Sequence, residues 1–115
     1  MKTGLVILLP WLILWAAACN SGSAAATPTA PAVPVTVKAD IKDFTHQTLN
    51  LKLGTTVVWT NRDGFLHTVT EDKGRFKSEP LDKDQSFSFT FSEVSTFGYF
   101  CEIHPFIRGT VTVSK

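Results

Sequence analysis

The chain has 115 residues, 43% of them hydrophobic, with 11 Lys and Arg against 10 Asp and Glu for a formal net charge of +1. That length holds one domain. The near-neutral balance argues against phosphate-backbone binding as the main activity, so no nucleic-acid partner is expected.

The chain opens "MKTGLVILLPWLILWAAAC", with one positive charge at Lys2 and an apolar or small run from Leu5 to Ala18. This is the pattern of a secretory signal, read as residues 1–18. A bilayer span needs about 20 such residues, and Pro10 interrupts this shorter run. Cys19 follows the small residues where a signal peptidase would cut, and "AAAC" resembles a bacterial lipobox, with Ala16 where that pattern usually has a branched apolar residue. The resemblance implies a lipid anchor on Cys19 and attachment to a membrane. Residues 19–34 then hold this cysteine and a linker that reads "SGSAAATPTAPAVP" from Ser21 to Pro34, without charge and nearly without large apolar side chains. Such a segment cannot bury enough hydrocarbon to offset its ordering entropy and is expected to be a disordered linker. Fourteen residues of it reach at most ~50 Å.

The expected location is extracytoplasmic, in a periplasm or on a cell surface. Paired cysteines normally form disulfides there. Cys101 is the only cysteine of the region 35–115, and a bridge to Cys19 would tie a tail to a distant strand. A lone exported cysteine asks for another role.

From Val35 onward the apolar residues alternate: Val35, Val37, Ala39 and Ile41; Leu49, Leu51 and Leu53; Val57 and Trp59; Phe87, Phe89 and Phe91. Period two marks half-buried strands, and turn chemistry separates them at Gly54-Thr55, Asn61-Arg62-Asp63-Gly64, Asp72-Lys73-Gly74 and Asp82-Lys83-Asp84. No stretch has helical spacing. An all-β domain over 35–115, an antiparallel or mixed sandwich of seven to eight short strands, follows. All nine Phe fall in it, as a small core requires. His46, without a partner at motif spacing, is read as a surface histidine.

Phe97 to Cys101 reads as a strand with Cys101 at its end and His104 in the turn that follows, stiffened by Pro105. His67, in "GFLHTV", begins another strand after a loop of its own. One thiolate and two imidazoles match a trigonal His-His-Cys copper site. The same donors can hold catalytic zinc with an open water position, and a metal-free binding module is the remaining reading. No paired carboxylates suggest acid-base work, and an enzyme is not expected.

The stretches "VVWTNRDGFLHTV" and "FGYFCEIHPFIRGTVTV" resemble the small blue copper proteins, the cupredoxins, most closely their amicyanin and plastocyanin branch. The resemblance implies a Greek-key sandwich, one type 1 copper ion, His67, Cys101 and His104 as its ligands, and electron transfer between redox protein partners met transiently, with the carrier expected to be a monomer. It also implies that Asn61 ties the loop of His67 to the loop of Cys101 by hydrogen bonds, and that Phe65, Leu66, Pro105 and Phe106 form an apolar docking patch around the exposed edge of His104. At the axial position, where the family has methionine, this chain has Ile107, which has no lone pair to offer; a raised reduction potential is expected. Copper storage or delivery would use the same three ligands and stays open beside electron transport.

Overall fold

The structure is a computed structural model describing residues 33–115. The expected signal segment, Cys19 and the expected linker as far as residue 32 lie outside the described residues. Seven strands and no helix are present among them: β1 (Thr36–Ile41), β2 (Thr48–Lys52), β3 (Thr56–Asn61), β4 (Thr70–Glu71), β5 (Ser86–Thr90), β6 (Thr96–Phe100) and β7 (Arg108–Ser114). They form two sheets, one in the order β1-β3-β5 and the other β2-β7-β6-β4. Both are mixed: β1 pairs parallel with β3 and β2 parallel with β7, while the remaining pairs are antiparallel. The all-β expectation holds, with seven strands.

Alternation sets what faces inward. In β3 the residues Val57, Trp59 and Asn61 are buried and their neighbours half-buried, and register aligns Trp59 with Ala39 and Asn61 with Ile41 of β1. From the second sheet Phe97 and Tyr99 of β6 and Val111 and Val113 of β7 complete the core. Trp59 is its centre: its ring lies 5.6 to 6.3 Å, centroid to centroid, from those of Phe76, Phe87, Phe91 and Tyr99. Aromatic pairs of this kind add about 0.5–1.5 kcal/mol each beyond the area they bury. Phe76 and Leu81 come from the connection between β4 and β5, which therefore packs as part of the core.

Tyr99 also fixes the edge between β6 and β7. Its hydroxyl donates to the Gln47 carbonyl at 2.6 Å, and its ring crosses the paired residue Gly109. A Cβ on Gly109 would stand 2.6 Å from that ring and 2.7 Å from the Gln47 carbonyl oxygen, so only glycine fits. His46 departs from the sequence reading. It is 8% exposed, with its ring 4.8 Å from that of Tyr99, because the turn after β1 folds it inward.

The segment after His67 is less regular than a strand. His67 makes an isolated bridge to Leu81, and only Thr70 and Glu71 are regular. The intervening amides are taken by side chains: Thr68 N–H donates to Cys101 Sγ and Val69 N–H to Ser78 Oγ. At this end of the sandwich three connections meet, 42–47 after β1, 62–69 after β3 and 101–107 after β6, and the site is built from them.

Candidate metal centre

Cys101 is the first residue past β6 and is fully buried. Because Phe100 pairs with Arg108, the chain must return from β6 to β7 within residues 101–107. Two backbone hydrogen bonds close that loop, Cys101 N–H to the Ile107 carbonyl at 3.0 Å and Ile107 N–H to the His104 carbonyl at 2.9 Å. Ile107 is itself buried. His67 is held by a reciprocal pair of hydrogen bonds with Leu81, 3.1 and 2.7 Å. Both donors therefore sit on pinned backbone.

The three predicted donors converge. Cys101 Sγ lies 3.8 Å from His67 Nδ1 and 3.8 Å from His104 Nδ1, and all three atoms lie within 4.8 Å of one another. Nitrogen and sulfur donors bind a first-row ion at about 2.0–2.3 Å, so three of them in a trigonal plane stand roughly 3.6 Å apart. The two sulfur–nitrogen separations come close to that value, and the donor set of one soft thiolate and two imidazoles suits copper. Cys101 and His67 are buried and His104 is half-buried.

Around these atoms hydrogen bonds position the sulfur and fix one histidine. The Thr68 amide donates to Cys101 Sγ at 3.3 Å, which fixes where the sulfur points. Thr68 Oγ1 in turn accepts from the Glu102 amide at 2.8 Å, joining the His67 segment to the Cys101 loop. Asn61 does not make that link, contrary to the sequence expectation. Its side-chain amide donates to the carbonyls of Phe65 and Leu81, and its oxygen accepts from the Asp63 amide. Asn61 holds the His67 loop against the connection that carries Leu81, while Thr68, one residue past His67, takes the bridging position.

Two residues that the sequence did not single out complete the surroundings. Asp63 Oδ2 stands 2.8 Å from His67 Nε2. Burial alone would raise the Asp63 carboxyl, but hydrogen bonds from the Phe44 and Asp43 amides and from the His67 ring outweigh it and hold it below the ordinary carboxylate range. Phe44 sets the edge of its ring against both imidazoles, with centroids 5.4 Å from His67 and 5.3 Å from His104. The predicted patch residues Phe65, Leu66, Pro105 and Phe106 are all exposed, Phe106 at 73%. Phe44 lies among them, 5.3 Å from Phe65 and 6.5 Å from Phe106. A signal for Asp63 existed in its place four residues before His67, hidden by the turn chemistry of Asn61-Arg62-Asp63-Gly64. None existed for Phe44.

Comparison with known proteins bears on the same arrangement. The family model described as a cupredoxin-like domain matches residues 5–113. The chain belongs to the cupredoxin-like family. Among curated relatives of this cupredoxin, amicyanin of Paracoccus versutus is 36% identical over 88 residues, covering 72% of this chain and 67% of the relative. Amicyanin-alpha of Methylorubrum extorquens is 34% identical over 107 residues, 84% of this chain and 86% of the relative. Plastocyanin of Scenedesmus fuscus is 34% identical over 83 residues, 61% of this chain and 85% of the relative. A solved structure of an amicyanin variant in its Cu(I) form superposes with a TM-score of 0.65 at 36% identity, covering 69% of this chain and 82% of that one.

Proposed function

We propose that this cupredoxin is a type 1 copper protein that carries single electrons between partner proteins outside the cytoplasm. The observation that carries the reading is the meeting of Cys101 Sγ with two imidazole Nδ1 atoms at 3.8 Å in a buried site. His67, Cys101 and His104 would hold one copper ion, and the bound copper would supply a one-electron Cu(II)/Cu(I) couple.

The residues of the chain divide the remaining work. Cys101 offers the sulfur ligand, held in place by the Thr68 amide. Loop closure through Ile107 and the bridge of His67 to Leu81 hold the donors still, so little rearrangement accompanies a change of charge at the site. Ile107, buried and without a donor atom, leaves three strong ligands and favours the reduced ion over what a methionine there would give. His104 is half-buried beside exposed Phe44 and Phe106, and Phe44 in turn packs against exposed Phe65. An apolar face around a ligand edge suits a small, quickly released interface with a redox partner. The signal-like start and the Cys19 sequence support export and lipid anchoring, with the linker as tether. A monomer fits brief encounters of this kind.

Cyclic voltammetry of the copper-loaded protein tests the reading. The expected result is a reversible one-electron wave, unchanged over repeated cycles, with copper retained in the presence of a Cu(I) chelator. Ready loss of Cu(I) to the chelator would instead assign the chain to copper delivery.

A further inference from the structure

We propose that Asp63 is a positioning residue that fixes His67 with its Nδ1 toward the metal and its Nε2–H on a carboxylate, biasing the centre toward the oxidised ion against the effect of Ile107. The inference rests on the copper reading above and goes beyond it by giving the centre a second determinant of its potential.

The geometry is that of a largely covered charge aimed at one ring. Asp63 Oδ2 lies 2.8 Å from His67 Nε2, while the opposite ring nitrogen, Nδ1, is the atom that meets Cys101 Sγ. The carboxylate side chain is 11% exposed and the His67 side chain 0%, so solvent and salt screen their interaction little. An acceptor on the remote nitrogen selects the tautomer with the proton on Nε2 and raises the basicity of the ligating nitrogen. A fixed negative charge close to the site also favours the ion of higher charge.

The carboxylate does not reach the ring by chance of rotamer. Oδ1 accepts from the Asp43 amide at 2.8 Å and Oδ2 from the Phe44 amide at 3.1 Å. Asp43 and Phe44 both adopt left-handed backbone, φ 53° and 54°, which non-glycine residues seldom take, and this turns two successive amides toward one carboxylate. The Asp63 amide is held in turn by Asn61 Oδ1 at 2.9 Å. A carboxylate that only closed a turn would need the amides alone; here the third contact is to a candidate ligand.

Two measurements decide the matter. In 15N-labelled wild type, metal-free and loaded with Cu(I), NMR should show His67 with its proton on Nε2, shifted downfield and slow to exchange. In Asp63→Asn the preference for Cu(II) over Cu(I) should fall at least tenfold, read as a rise of about 59 mV in the reduction potential, and Asp63→Glu should recover part of the change. A His67 proton on Nδ1, or an unchanged potential in Asp63→Asn, would overturn the proposal. Should Asp63→Asn fail to fold, the wild-type spectrum decides. Failure of the wild type to bind copper at all would sink the electron-carrier reading separately, and the metal-free spectrum would still report on the pair.

Discussion

His46 provides a test of burial as a source of pH dependence. Its ring is packed on Tyr99, 8% of the residue is exposed, and neither ring nitrogen has a hydrogen-bond partner. Burial, reinforced by the nearby His67 ring, lowers its pKa from 6.5 to about 4; the Thr68 backbone opposes this weakly, from outside hydrogen-bonding geometry. Above 6.5 the ring is neutral in both the folded and the unfolded chain and contributes no pH dependence. Between 6.5 and about 4 the unfolded chain takes up a proton that the folded one refuses, so stability falls as pH falls through this window. At ~1.4 kcal/mol per pH unit the full loss from this group is roughly 3 kcal/mol. Urea unfolding of the metal-free domain at pH 7.5, 5.5 and 4.5, for wild type and His46→Leu, isolates the effect, because the two proteins differ in that one side chain alone. The stability difference between the two should move in favour of His46→Leu by about 2–3 kcal/mol on going from pH 7.5 to 4.5. A difference that stays constant over that range would refute the reasoning and place His46 in contact with solvent or a partner.

Other substitutions probe the site and its frame. Ile107→Met exchanges side chains of similar volume at a buried position, costing less than ~1.5 kcal/mol in urea unfolding. It should lower the reduction potential, about 59 mV for each tenfold gain in preference for Cu(II); an unchanged or raised value in voltammetry would count against the role given to Ile107. Thr68→Val keeps the shape of a side chain that is 2% exposed but removes the acceptor of the Glu102 amide. A loss of about 1–3 kcal/mol is expected in chemical unfolding. Gly109→Ala sets a methyl group against the Tyr99 ring and the Gln47 carbonyl, and a loss of about 1–3 kcal/mol in the same assay is expected.

Much of the fold was legible because alternation is a local property. Val57 with Trp59, or Phe87 with Phe89, declare a strand and its two faces within a few residues. They do not declare a neighbour: the parallel pairing of β1 with β3 and of β2 with β7 joins segments far apart in sequence, and no periodicity encodes it. The site was legible in the same uneven way. Cys101 and His104 share one short loop, so their spacing carries information, and His67 stood out as a histidine opening another strand after a loop of its own. Asp63 sits in a sequence whose turn chemistry explains it fully, and its contact with His67 depends on a loop that must first fold. The left-handed turn at Asp43 and Phe44 contains no glycine to mark it, which hid both the carboxylate clamp and the aromatic cover. His46 was misread as a surface residue because a histidine between polar neighbours carries no sign of burial. The link between the two ligand segments was given to Asn61 by resemblance, whereas the hydrogen bonds of this chain assign it to Thr68.

Titration of the purified metal-free protein with Cu(II), followed in the visible spectrum, tests most directly the claim that Cys101, His67 and His104 form one copper centre. One equivalent should develop an intense band from a copper-thiolate bond and then saturate, and Cys101→Ser should remove the band. Absence of the band in the wild type, or its survival in Cys101→Ser, would contradict the claim.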